Sequence, residues 1–152
     1  MGKTVSLTGT DVIKINNRLL SDLADADAAA LTFPNDLAVV KTGKNGNAIF
    51  AKNETGNQAE VVIRVLRGSS DDKYLNNELN MMKKDFSAYV LLTGEFIKKV
   101  GDGAGNIASD NYLCTGGVPA KQVEVKTSAE GDVEQSVSVY TIRFANCDRT
   151  IG

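Results

Sequence analysis

"QAEVVIRVLRGSSDDKYLNNELNMMKKDF", residues 58–86, changes its period part-way along. Across residues 58–66 the apolar positions alternate. Ala59, Val61, Ile63 and Val65 fall on one face, and Glu60, Val62, Arg64 and Leu66 on the other. One apolar face and one mixed face describe a strand covered on one side and half covered on the other. From Ser69 onward the spacing is helical, with Leu75, Leu79, Met82 and Phe86 forming one stripe. Ser69 and Asp72 have capping-box spacing, Asp71 and Asp72 suit the start of a helix, and Lys83 and Lys84 suit its end. The stripe predicts a helix over 69–86 packed on a core.

Outward from this segment the chain reads as short strands broken by turns. "DVIKI" (11–15) and "RLLSDL" (18–23) flank Asn16-Asn17, a tight turn because Asn tolerates positive φ. "DADAAA" (25–30) is a small-residue connector, and "ALTF" (30–33) stops at Pro34. "LAVVK" (37–41) and "NAIFAK" (47–52) are joined by "TGKNG", a hairpin-like linkage. After the helix come "AYVLLTGEFIKKV" (88–100), "YLCTGG" (112–117), "KQVEVKTS" (121–128) and "SVSVYTIRFAN" (136–146), with "AEGD" (129–132) as a turn. Strands do not alternate with helices, so a parallel sheet has no crossovers to build it. The expected fold is mainly β, an antiparallel β-sandwich or barrel with one flanking α-helix, in a single domain over residues 1–152.

Composition removes several function classes. The net charge of −2, from 17 basic and 19 acidic residues, argues against a surface built to grip nucleic acid. With no histidine, the usual base of Ser and Cys hydrolases and the commonest transition-metal ligand are both missing. Cys114 and Cys147 are too few for a thiolate zinc site. They pair only if the fold brings them together, and two buried free thiols are the expectation, in keeping with a reducing cytosol. No apolar run approaches the roughly 20 residues that span a bilayer, and "MGKTVSLTGTDV" lacks the apolar region of a signal peptide. Neither a membrane anchor nor a cofactor is expected.

Candidate chemistry dissolves on inspection. "TGKNGN" has Gly43-Lys44 but lacks the earlier glycine of a phosphate loop, has Asn after the lysine, and leads into a strand instead of a helix. It reads as a turn. "GDGAGN" (101–106) is G-x-G-x-G with no helical pattern after it, and reads as a flexible loop. Asp22, Asp25 and Asp27, or Asp71 and Asp72, do not have calcium-loop spacing. Glu54, Glu60, Glu78 and Glu95 offer carboxylates but no specified pair, and the few aromatics leave little for a sugar platform. What remains is strand edges, which a β protein must cover, charge or pair with another subunit.

"LTFPNDLAVVKTGKNGNAIFAKNETGNQAEVVIRVLRGSSDDKYLNNEL", residues 31–79, resembles the tail tube proteins of contractile-tailed bacteriophages. The shared features are the "FPND" turn, the "KTGKNGN" and "NETG" loops, and the strand "AEVVIRVLRGSSDD" leading into a helix. "DVIKINNRLLSDLADAD" looks like that family's opening hairpin. The resemblance implies a fold similar to the inner tube subunit of type VI secretion. It also implies homohexameric rings stacked into a hollow inner tail tube that passes phage DNA into the host. It implies a structural virion protein and no enzyme, made in the host cytoplasm and located in the tail. Sheath protein, tape measure, baseplate hub and tail terminator would be its partners besides itself. Subunit or ring contacts are expected at Lys41, Thr42, Gly43, Lys44, Asn45, Gly46 and Asn47, and at Asn53, Glu54, Thr55, Gly56 and Asn57. Another virion ring protein, at the neck or tail end, and a soluble β-sandwich binding module stay open as alternatives.

Overall fold

The computed structural model describes residues 5–7, 11–24, 28–125 and 133–152. In chain order the strands are β1 (Ser6–Leu7), β2 (Val12–Ile15), β3 (Arg18–Leu19), β4 (Ala29–Thr32), β5 (Ala38–Thr42), β6 (Ala48–Lys52) and β7 (Ala59–Leu66). Helix α1 (Ser70–Lys84) follows. Then come β8 (Leu92–Gly101), β9 (Ile107–Pro119), β10 (Glu124–Val125) and β11 (Val137–Ile151). The main sheet runs β3-β2-β8-β9-β11-β7-β4, with β1 on β8 and β10 on β11. Every pairing is antiparallel. The fold is mainly antiparallel β with one helix, as expected.

One sheet makes a two-layered body because its longest strands turn a corner. β9 and β11 keep one register from Ile142↔Pro119 to Ile151↔Asp110, interrupted at Ala145 and Gly116, and their buried faces switch there. On one side Tyr140, Ile142 and Phe144 point inward, while beyond Ala145 and Asn146 it is Cys147 that is buried. Gly116 marks the bend with φ +68, and a Cβ there would come within 3.0 Å of that of Ala145. Strands that pass between layers make such corners by a bend of this kind. The first lobe is β4, β7 and the start of β11; the second is β2, β8, β9 and the end of β11. Phe96 of the second lobe meets Phe144 of the corner edge-to-face at 6.4 Å.

β7 alternates as its sequence predicts: Ala59, Val61, Ile63 and Val65 are buried, and Glu60, Val62 and Arg64 are half-buried. Asn16 and Asn17 adopt φ of 53 and 64, the left-handed pair of a two-residue hairpin turn. In α1, Leu75 and Leu79 enter the core and Met82 packs partly against it. Phe86 does not. The helix ends at Lys84, Asp85 caps it in extended backbone, and Phe86 is 68% exposed. The stretch 88–100 is a strand only from Leu92. Of 121–128 only Glu124–Val125 pairs within the described residues, and the "AEGD" turn lies outside them. "GDGAGN" is a hairpin turn in which Asp102 Oδ1 accepts from the amides of Ala104 and Asn106.

The expectation of two free thiols is corrected. Cys114 and Cys147 stand directly opposite in the β9–β11 ladder, with Cα atoms 4.1 Å apart, and form a disulfide. Spacing along the chain carries no trace of this, because the cross-strand register makes the pair.

The helix start is tied to both lobes by two carboxylates. Ser69 caps α1 by accepting from the Asp72 amide at 3.2 Å. Asp72 accepts from the Gly68 amide at 2.7 Å and from the hydroxyls of Ser138 and Tyr140 on β11. Burial first, and this hydrogen bond second, hold the Tyr140 hydroxyl above its ordinary pKa. Asp71 is 1% exposed and accepts from the amides of Ser21 at 2.7 Å and Asp22 at 2.8 Å, with Arg18 beside it at 3.4 Å. The chain leaving β3 is thereby fastened to the helix. Asp71→Ala strands two amide donors, each costing about 1–3 kcal/mol. It should lower unfolding stability by about 3 kcal/mol, read as a lower urea midpoint at unchanged slope. An unchanged midpoint would remove Asp71 from this role.

Candidate assembly interface

β5 and β6 hydrogen-bond to each other and, among the described residues, to no other strand. They form an arm, and every residue of both strands is exposed. The pairing sets Val40 against Phe50 on one face, and Lys41 against Ile49 beside Val39 and Ala51 on the other. Phe50 is 73% exposed, Val40 60% and Ile49 58%. Strands apolar on both faces belong between two layers, and among the described residues no second layer reaches them.

The tip and the root of the arm contain the two segments that the resemblance singles out. At the tip, the Gly43 amide donates to Asn47 O at 2.6 Å and the Gly46 amide to Gly43 O at 3.1 Å. Lys41 and Thr42 end β5, and Lys44, Asn45 and Gly46 form the turn, with Gly46 at φ +79. A strand follows, so no helix N-terminus faces an anion, as the sequence reading has it.

At the root, Glu54–Asn57, with Thr55 and Gly56 between them, form a single 3-10 turn capped by Asn53. The Asn53 side chain accepts from the Thr55 amide at 3.1 Å, and the Asn53 amide donates to Leu37 O at 2.8 Å. Asn35 Nδ2 donates to Thr55 O at 3.2 Å and to Gln58 Oε1 at 3.1 Å. Gly56 is buried against the chain entering the arm. These residues fix where the arm leaves the body, so the two predicted segments are brought to opposite ends of one element.

Sequence reasoning passed over Val39, Val40, Ile49 and Phe50, which carry the arm's apolar surface. A run apolar at both parities reads as interior strand. The polar Gly/Asn turns at both ends of so short a pair were the available signal that it projects.

Several of the charged residues considered for chemistry are otherwise engaged. Arg143 pairs with Glu60 at 2.8 Å, and Glu78 accepts from the Tyr89 hydroxyl at 2.9 Å. Asp25 and Asp27 lie outside the described residues. Among the described residues, no group of three or more His, Cys, Asp or Glu side chains could hold a metal ion. A cavity of about 230 Å³ between β2 and β4 is rimmed by Asp11, Lys98 and Asp110. Lys98 closes on Asp11 at 2.9 Å and Arg149 on Asp110 at 2.7 Å. The Arg149 hydrogen bond holds the Asp110 carboxyl below the usual carboxylate range, against the effect of burial. Among the described residues, no helix is long and apolar enough to cross a membrane.

No protein-family model matches the chain, and no curated protein matches its sequence. Its backbone does match a solved structure. A chain from the cryo-EM structure of an extracellular contractile injection system, the PVC sheath-tube complex in its extended state, superposes with a TM-score of 0.58. The match covers 93% of this chain and 87% of that one, at 8% identity. The chain shares its fold with a chain of that complex. The likeness extends over both lobes, whereas the sequence resemblance rests mainly on residues 31–79.

Gly56 is a position at the arm root that leaves no room for a side chain. A Cβ there would lie 2.8 Å from Leu37 Cδ2 and 2.9 Å from Leu37 Cα, so the backbone itself must move. Gly56→Val should cost about 1–3 kcal/mol and loosen the arm. Trypsin should then cut at Lys41, Lys44 and Lys52 roughly tenfold faster, while the body stays intact. Unchanged cleavage would show that the root does not hold the arm.

Proposed function

We propose that this chain is a tail tube subunit, a structural protein whose copies form homohexameric rings that stack into the hollow inner tube of a contractile tail. The observation that carries the reading is the arm: ten strand residues exposed on both faces in a body otherwise well cored. A fold shared with a sheath-tube complex is the setting in which such an arm has a purpose. Burying five exposed large side chains, Leu37, Val39, Val40, Ile49 and Phe50, contributes at most about 10 kcal/mol at roughly 2 kcal/mol each. Association costs about 4–15 kcal/mol, so a lone arm contact is marginal. In a closed ring each copy both gives and receives one such contact, which resolves the shortfall.

In this reading the whole chain is one tube domain, and it needs neither cofactor nor active site. Sheath protein surrounds the tube, the tape measure fills it during assembly, and the baseplate hub and tail terminator bound it. Phage DNA crosses the lumen without being held, and the net charge of −2 suits a wall that does not retain a polyanion. Subunits are made in the host cytoplasm and end in the virion tail.

Negative-stain electron microscopy of the purified chain across a concentration series tests this. Tubes or stacked rings of uniform diameter are the expected product. A chain that sediments as a 16.2 kDa monomer at every concentration would overturn the reading.

A further inference from the structure

Cys114 and Cys147 are the chain's two cysteines, and they face each other across the β9–β11 ladder. Their Cα separation of 4.1 Å belongs to the closer, non-hydrogen-bonded kind of cross-strand pair. The ladder holds them there without help from the bond. Asn146↔Thr115 precedes the pair, and Asp148↔Leu113 to Ile151↔Asp110 follow it. Arg149 grips Asp110 with hydrogen bonds of 2.7 and 2.9 Å, and the backbones of Gly152 and Ser109 bond to each other at the strand end. Reduced, the two thiols therefore stay opposite one another.

The two residues are unequally placed. Cys114 lies on an inner strand, between Gly94 of β8 and Cys147 of β11, and is fully buried. Cys147 lies on β11, which beyond Ala145 pairs only with β9 among the described residues. It borders a cavity of about 440 Å³ at the arm root, shared with Phe33, Leu37 and Gly56. At 2% exposure Cys147 is shielded at rest. A strand end held from one side opens locally more readily than a strand held from both, and such openings admit small reagents.

We propose that Cys114 and Cys147 are a reversible redox site, oxidised by hydrogen peroxide entering from the arm-root cavity, with Cys147 attacking and Cys114 resolving. The Cys147 thiolate attacks one peroxide oxygen. The S–O bond forms, the O–O bond breaks, and the departing hydroxide takes up the proton that Cys147 lost. The Cys114 thiol then attacks the sulfenic sulfur. The S–S bond forms, the S–O bond breaks, and the oxygen leaves as a second water carrying the Cys114 proton. The two sulfurs lose the two electrons that the peroxide gains. A small thiol reverses the change: its thiolate bonds to the Cys147 sulfur and expels Cys114, which takes up a proton. A second thiol then frees Cys147, and the reductant becomes a disulfide. A reducing cytosol keeps such a pair open, and an oxidising exterior closes it. Closed, the bond ties the outer strand to β9 beside the arm root; open, the ladder alone holds it.

Reduction of the full chain by dithiothreitol, without denaturant, tests the site. The reduced chain should keep its sheet spectrum by circular dichroism, and hydrogen peroxide should return it to the disulfide, lighter by two hydrogens. A brief pulse of iodoacetamide on the reduced chain should label Cys147 about tenfold more than Cys114. Cys114→Ser should stop at a sulfenic acid that dimedone traps on Cys147, whereas Cys147→Ser should react with peroxide about tenfold more slowly. Where a serine variant fails to fold, the labelling of the parent chain decides. Equal labelling, or Cys114 labelled first, would overturn the assignment. A disulfide that yields only in denaturant, or a sheet lost on reduction, would make the bond a structural crosslink and overturn the site. None of these readouts requires assembly, so the site and the tube stand or fall separately.

Discussion

Ala38–Thr42 and Ala48–Lys52 satisfy half of their backbone hydrogen bonds with each other and leave the outer edges and both faces to the surroundings. An isolated two-stranded hairpin is marginal in water, and one with Phe, Ile and Val on its surface also loses free energy by exposing them. The turn at 43–47 and the root at 53–57 nevertheless hold it in register. Among the described residues nothing covers this element, so the body maintains it at some cost and it gains stability when it is covered. The proposed ring and stacked tube both descend from that constraint.

The body is built to carry this projection without depending on it. Phe144, Ile142 and the alternating residues of β7 form the core with Ile13, Ile15 and Phe96 across the corner at Gly116. Asp71 and Asp72 pin the helix to the β3 exit and to β11. The disulfide between β9 and β11 lies just past the corner, on the strand whose open edge adjoins the arm. By this division the arm surface can be altered without unfolding the body.

Features governed by local periodicity were legible in the sequence. The alternation of β7, the capped start of α1, the Asn16-Asn17 turn and the "TGKNG" hairpin are all formed as their residues require. Features governed by register between distant strands were not. Cys114 and Cys147 become neighbours because a long ladder places them so, and the face switch at Gly116 depends on how two strands bend together. Phe86 continues the helical stripe in sequence, yet α1 ends before it, and its exposure depends on where the β8 connection must run. The polar ends of the candidate site were visible, but its apolar centre was indistinguishable from interior strand. Periodicity reports that a surface is apolar and is silent on whether its cover belongs to the same molecule.

Hydrogen exchange of the arm amides, compared between dilute chain and assembled material, tests most directly whether another copy completes this element. The account predicts that amides in 38–42 and 48–52 exchange rapidly in the dilute chain and slow by roughly a hundredfold or more on assembly, while β7 changes little. Equal protection of the arm in both states would mean that it is complete within one chain, and would contradict the account.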